Sequence, residues 1–309
     1  MKVYRNIADF PRLKHLAATV GTFDGVHLGH REIIKHLIRV AKASGGESVL
    51  ITFDPHPRHV IDPMGDEVRL LTLTEEKIYL LNKTGIDNLL IIPFDAAFAA
   101  LTFDRFITEI LVDSLGVDHF VVGYDHAFGK GREGNFERLK ELGEIHGFTC
   151  EQVYEQKANQ EVVSSTRIRN FLAEGDVEHA NQLLGHEFFI FGEVITGNRL
   201  GNTIGFPTLN LGRFARHKLI PAMGVYASKI EIEGVLYMGM TNIGVRPTLD
   251  ASDLTIETHI FDFNQDIYGK KVVVTFTGRI RDERKFAGLP ELTAQLALDK
   301  IRALEIFSR

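Results

Sequence analysis

The stretch AATVGTFDGVHLGHREIIKHLIRVAKASGG, residues 17–46, sets the architecture. Its opening AATVGTF is a compact apolar run, the pattern of a short buried strand. Ile33, Ile34, Leu37, Ile38 and Ala41 then recur on one face of a helix that closes on Gly45 and Gly46. A strand feeding directly into an amphipathic helix is half of a βαβ unit. His27 and His30 stand where strand gives way to helix.

The pattern repeats outward from there. SVLITF (48–53), LLIIPF (89–94), HFVVGY (119–124) and FTCEQVY (148–154) read as further strands. TEEKIYLLNKTG, FDRFITEILVDSLG and NFERLKELGEIHG read as helices between them. The first 185 residues therefore predict an α/β domain, a parallel sheet with helices on both faces and ligands at the carboxyl ends of the strands. After Gly185 the grammar changes. FFIFGEVI, GVYASKIEIEG, VLYMGMTNIG, LTIETHIFDF and KKVVVTFTGRI are short strands divided by Gly, Pro and Asn turns, which predicts a small antiparallel barrel or sandwich. A last amphipathic helix spans Leu289 to Phe307. The expected domains are 1–185 and 186–309.

A chain of 309 residues is long enough for two domains with separate cores. No apolar run approaches the roughly 18 residues of a membrane helix, and the N-terminal MKVYRNIADFPRLKHL lacks a signal-type apolar core. Cys150 is the sole cysteine, so no intrachain disulfide can form, which fits a cytoplasmic setting. A net charge of −6 argues against a general nucleic-acid binder while leaving room for small anions. No membrane association and no obligate protein partner are expected.

The start of the first helix offers unpaired backbone N–H groups and a dipole that favours an anion. Two imidazoles there can donate to phosphate oxygens, and Gly21, Gly25 and Gly29 permit close backbone approach. A lone histidine at this position would more often be a helix cap, and a His-x-x-His pair can also ligate zinc, although no cysteine or third ligand lies nearby. VVSSTRIRNFLAEG (162–175) opens a second helix with Ser164, Ser165 and Thr166, and Ile168, Phe171 and Leu172 face inward. Hydroxyls alone would be N-caps. Arg167 and Arg169 in the first turn oppose the helix dipole, and an anionic partner explains them better.

HxGH at 27–30 with SSTRIR at 164–169 resembles the paired signature of the HxGH nucleotidyltransferases. With GTFDGVHLGH, FDPHP (53–57) and GYDHAFGKGREG (123–134), the first half is similar to the adenylyltransferase half of bifunctional bacterial riboflavin kinase/FAD synthetases. That resemblance implies a Rossmann-like domain in which FMN phosphate attacks the α-phosphorus of ATP. His27 and His30 would stabilise phosphate charge, while Ser165, Thr166 and Arg167 would hold the leaving phosphates. It also implies ATP or phosphate contacts at Gly21, Phe23, Gly25, Gly29 and Ser164, and flavin contacts at Asp54, His56, Pro57 and Asp125.

In the second half, GNRLGNTIGFPTLNLG (197–212) carries more glycine than a hairpin turn needs. Thr208 and Asn210 are two apart, so on a strand both face one way, and their oxygens suit Mg²⁺. Glu257 lies in an alternating strand beside Ile256, either as an exposed strand residue or as a base for an attacking alcohol. These elements resemble the riboflavin kinase domain, a small β-barrel. The resemblance implies that Glu257 deprotonates the riboflavin 5′-hydroxyl, that Thr208 and Asn210 hold Mg²⁺ and phosphate, and that Gly201 and Gly205 approach ATP. Arg279 and Arg281 would touch flavin or phosphate, or form an exposed cationic tail. The function implied is riboflavin plus ATP to FMN, then FMN plus ATP to FAD and pyrophosphate. A single-activity chain, a flavin sensor, or a nucleotidyltransferase with another acceptor are the competing readings.

Overall fold

The structure, a computed structural model, describes residues 1–62, 68–124, 135–154, 157–158, 161–196, 206–212, 214–247 and 252–309. It divides into two compact units, Met1–Ser164 and Ser165–Arg309.

The first unit is built on a six-stranded parallel sheet in the order β1-β4-β3-β2-β5-β6. The strands are β1 (Lys2–Tyr4), β2 (Leu16–Val20), β3 (Ser48–Asp54), β4 (Asn88–Pro93), β5 (Val117–Gly123) and β6 (Thr149–Val153). Every residue of β2 is buried, which is why AATV carries no polar face. Helix α1 (Leu28–Ser44) buries Ile34, Leu37 and Ala41 and stops where Gly45 takes a left-handed φ of 70°. Two helices follow β3: α2 (Pro57–Ile61) and α3 (Thr74–Leu81). The FDRFITEILVDSLG segment is helical over Phe103–Arg105 and continues as a π-helix over Phe106–Leu115, and α4 (Phe136–His146) precedes β6. From β2 the chain winds outward through β3 and β4, then returns to the other side of β2 as β5. The loop after β2 therefore opens at the switch point, where doubly wound sheets bind ligands. β1 is a three-residue edge strand that the sequence pattern did not reveal.

The second unit begins with α5 (Ser165–Glu174) and α6 (Val177–Leu184). Then come β9 (Phe188–Ile195), β10 (Thr208–Gly212), β11 (Gly224–Ile232), β12 (Val235–Pro247), β13 (Ser252–Ile260) and β14 (Lys271–Arg281). These close into an antiparallel barrel in the order β10-β13-β12-β11-β14-β9, which decides the choice between barrel and sandwich. (β7, Lys157–Ala158, and β8, Glu161–Val162, form a small hairpin in the first unit.) Val272, Val274 and Phe276 alternate inward from β14 and Ile256 and Ile260 from β13. Inside the barrel, Ser228, Thr241 and Thr258 satisfy one another through hydroxyl contacts of 2.6 and 2.9 Å.

The terminal helix α7 (Leu289–Phe307) packs on the barrel through Ala303, which joins Ala227, Met240 and Phe261 in one core cluster. Asp299, fully buried on α7, receives Arg281 from β14, with Nε at 3.0 Å from both carboxylate oxygens and Nη2 at 2.8 Å from Oδ2. Arg281 is thus the anchor of the last helix, not part of an exposed cationic tail.

Candidate functional site

The loop joining β2 to α1 is held in a shape that ordinary side chains resist. Phe23 and Val26 have φ of 46° and 42°, and Gly25 has 88°. Hydrogen bonds from outside fix it, among them one from the Thr52 hydroxyl to the Thr22 carbonyl at 3.2 Å. Asp24, buried, accepts from Leu71 N–H (3.1 Å) and from Thr72 N–H (2.8 Å) and hydroxyl (3.2 Å). Gly25 N–H donates to the Thr72 hydroxyl at 2.9 Å. The Lys77 ammonium donates to the Thr22 carbonyl at 2.6 Å.

His27 is the N-cap of α1: its Nδ1 accepts from His30 N–H at 3.3 Å. That bond leaves the proton of a neutral ring on Nε2, so the far edge of the buried ring is a donor. The His27 and His30 rings stack at 3.6 Å and 14°, and Phe23 lies 5.0 Å from His30. A Cβ on Gly29 would meet the His27 ring at 3.3 Å, so the glycine lets the imidazole lie against the first turn. Capping and presentation of a donor edge are one arrangement rather than alternatives. Arg31, which sequence reasoning passed over, donates from Nε to the Val26 carbonyl at 3.2 Å, and burial lowers its pKa.

At the end of β3, Asp54 accepts from the Thr74 hydroxyl at 2.9 Å. His56 caps α2, accepting from Arg58 N–H at 3.2 Å, with Pro57 in the first turn. Asp125, with His126 and Arg132, lies outside the described residues. Ser164 is the last residue of the first unit, and Ser165, Thr166 and Arg167 open α5 in the second. Ile168 and Leu172 are buried as expected, and Phe171 stacks on His179 at 5.5 Å.

In the barrel, the pairing register does what sequence alone could not. Asn210 on β10 sits directly across from Glu257 on β13, and Asn242 on β12 flanks Glu257 from the other side. Thr208 sits across from His259. Directly paired residues share a face, so Thr208, Asn210, Asn242, Glu257 and His259 lie on one side of the barrel wall while Ile256 and Thr258 point inward. A hydroxyl, an amide oxygen and a carboxylate form an oxygen-donor set suited to Mg²⁺. His259 was not singled out in the sequence. Its Nδ1 bonds the Pro207 carbonyl at 2.8 Å, fixing the PTLN segment, and burial lowers its pKa. A cavity of about 260 Å³ lies at the β10–β13 wall and reaches Thr208, but its other lining is Pro207, Leu209, Thr258, Phe263 and Tyr268 among others, and neither Asn210 nor Glu257 lines it. Gly201 and Gly205 lie outside the described residues.

Arg279 reaches from β14 to the Glu174 carbonyl at the end of α5 (Nη1, 3.1 Å) and to the Met223 carbonyl (Nη2, 2.8 Å), and pairs with Asp282 at 2.9 Å. Among the described residues, no group of three or more His, Cys, Asp or Glu side chains is arranged to hold a metal.

Known proteins resolve what these two constellations belong to. The FAD synthetase family model matches residues 10–167 and the riboflavin kinase model residues 184–307. The chain belongs to the bifunctional riboflavin kinase/FMN adenylyltransferase family. It is 39% identical over 293 residues to the Bacillus subtilis member, covering 94% of this chain and 92% of that one. It is 38% identical to the Haemophilus influenzae member over the whole of both chains. A crystal structure described as a macrolide-efflux protein from Streptococcus pneumoniae superposes with a TM-score of 0.86 at 31% identity, covering 96% of each chain. No helix among the described residues is long and apolar enough to cross a membrane. The family's two activities are therefore those of this enzyme: phosphorylation of riboflavin to FMN by ATP, and adenylyl transfer from ATP to FMN giving FAD and pyrophosphate.

Proposed function

We propose that the stacked histidines of the β2–α1 connection run the adenylyl transfer and that Glu257 runs the phosphorylation. In the first step, the riboflavin 5′-hydroxyl gives its proton to Glu257 and attacks the γ-phosphorus, and ADP leaves. Thr208 and Asn210 would hold Mg²⁺, which when bound neutralises charge on the phosphates. The shared face of Asn210 and Glu257 supports this assignment. In the second step, an oxygen of the FMN phosphate attacks the α-phosphorus and pyrophosphate leaves. His27 and His30 stabilise the phosphate charge, and Ser164, Ser165, Thr166 and Arg167 hold the leaving group, with Gly21, Phe23, Gly25 and Gly29 shaping the approach. This is catalysis by position and electrostatics. The observation that carries it is the capping bond from His30 N–H to His27 Nδ1, which leaves Nε2 of the neutral ring as the donor at the start of α1.

Flavin contacts are assigned to Asp54, His56, Pro57, Asp125 and Arg279, and further ATP contacts to Gly201 and Gly205. The working division is 1–185 for adenylyl transfer and 186–309 for phosphorylation. A cytoplasmic setting is supported by the single cysteine, and the net charge of −6 argues against nucleic acid as a partner; no membrane or obligate protein partner is included in the proposal. The test is a time course with riboflavin, ATP and Mg²⁺, the flavins separated by chromatography. His30→Ala should make FMN and no FAD, whereas Glu257→Gln should make FAD from supplied FMN and none from riboflavin. A folded variant that lost both steps would defeat the two-site assignment.

A further inference from the structure

A lysine is an expensive residue to bury, and Lys77 is only 7% exposed. It sits on α3, in TEEKIYLL, where the sequence reads as an ordinary amphipathic helix. Its ammonium donates to the Thr22 carbonyl at 2.6 Å and to the Thr52 hydroxyl at 3.0 Å. The charged groups facing it are Asp24, from the loop after β2, and Asp54, at the end of β3. The same segment supplies Leu71, Thr72 and Thr74, which bind those two carboxylates. Its Glu76 turns back to cap Leu73 N–H at 2.8 Å. LLTLTEEK (70–77) is thus a brace applied from outside to both strand ends that frame the histidine loop.

We propose that Lys77 is a positioning residue of the adenylyl transfer, its ammonium holding the Thr22 carbonyl so that the strained loop from Gly21 to His27 keeps its phosphate-accepting shape. Thr22 immediately precedes Phe23, the first residue forced to a positive φ. A charge-assisted bond at that carbonyl is about twice as strong as a neutral one. Burial lowers the pKa of Lys77 to about 8, against the pull of both carboxylates, so the brace loses its charge just above neutrality. The proposal rests on the reading of the His27–His30 loop as the phosphate site.

The test uses the full chain, wild type beside Lys77→Met and His30→Ala, with both product-forming rates measured from about pH 6.5 to about pH 9.5. Lys77→Met keeps the length and apolar stem of the side chain and removes the charge and the donors. Its kcat/KM for ATP in FAD formation should fall about 100-fold, with riboflavin phosphorylation in the same sample within about twofold. Wild-type FAD formation should decline above about pH 8, and the residual rate of Lys77→Met should lack that limb. Wild-type FAD formation by Lys77→Met, with His30→Ala inactive, overturns the proposal alone. FAD formation at wild-type rates by His30→Ala overturns the phosphate reading beneath it. Should Lys77→Met fail to fold, Lys77→Gln, which keeps a neutral donor and removes the charge, takes its place, and FAD formation within about twofold of wild type by that variant overturns the proposal.

Discussion

Replacing Asp299 by alanine should loosen the terminal helix from the barrel, and the structure sets the size of the effect. The carboxylate is fully buried and accepts from Arg281 through Nε and Nη2 and from Gln295 Nε2 at 2.7 Å. The Arg281 side chain is only 14% exposed, so solvent cannot take over for the lost partner. Its remaining contacts are the Asp282 carbonyl at 2.8 Å and the Phe286 ring at 5.6 Å. An uncompensated buried charge of this kind costs about 3–5 kcal/mol, whereas the intact pair adds little over an apolar replacement. Asp299→Ala should therefore lose about 3–5 kcal/mol, and Asp299→Asn, which keeps shape and an acceptor, about 2 kcal/mol. The double variant Arg281→Met/Asp299→Leu should lie near wild type. Urea titrations followed by circular dichroism and by residual riboflavin phosphorylation measure all three. A loss below about 1 kcal/mol in Asp299→Ala, or a double variant as weak as the single, would refute the argument.

Three further outcomes follow from positions already described. Because the folded-state pKa of Lys77 is depressed from 10.5 to about 8, its folded form binds fewer protons between those values. Wild-type stability relative to Lys77→Met should rise with pH across that window, by up to about 3 kcal/mol, in denaturant titrations at successive pH values. Gly175→Ala places a Cβ 2.7 Å from Arg279 Cζ at a φ of +81°. It should cost about 1–2 kcal/mol in thermal unfolding and raise the KM for riboflavin, and an unchanged KM would remove Arg279 from the flavin contacts. Burial pushes the Cys150 thiol up to about 12, so iodoacetamide at about pH 8 should label native protein far more slowly than unfolded protein.

What the sequence made legible was whatever depends on local period and punctuation. The β2–α1 unit, its glycine stop and the Leu289–Phe307 helix are written in spacings of two, three and four residues. Both motifs could be found because each is contiguous. Long-range pairing was not legible in the same way. Glu257 and Asn210 are 47 residues apart, and only the β10–β13 register sets them side by side. Lys77 was hidden for a related reason: in TEEKIYLL it follows two glutamates, so it reads as one more charge on a solvated face until the fold closes over it. Arg281 likewise reads as a free cation because its partner waits 18 residues downstream on another element.

The grouping of α5 and α6 with the barrel bears on how these activities can be inherited. Residues 168–183 fall in neither family match, yet they are bound into the second unit. Ala222 N–H donates to the Leu172 carbonyl at 2.9 Å, Asn181 reaches Phe276, and Glu178 receives the backbone of Arg279. A gene split after Gly185 would hand these helices to the adenylyltransferase fragment and strip Ala180, Leu183 and Leu184 of cover. Such a fragment should bind apolar dyes and aggregate. A split before Ser165 would cut SSTRIR after its first residue and leave the rest of it with the kinase. Neither cut yields two self-sufficient halves, so evolution could separate the enzymes only by first rebuilding the surface of one helix pair.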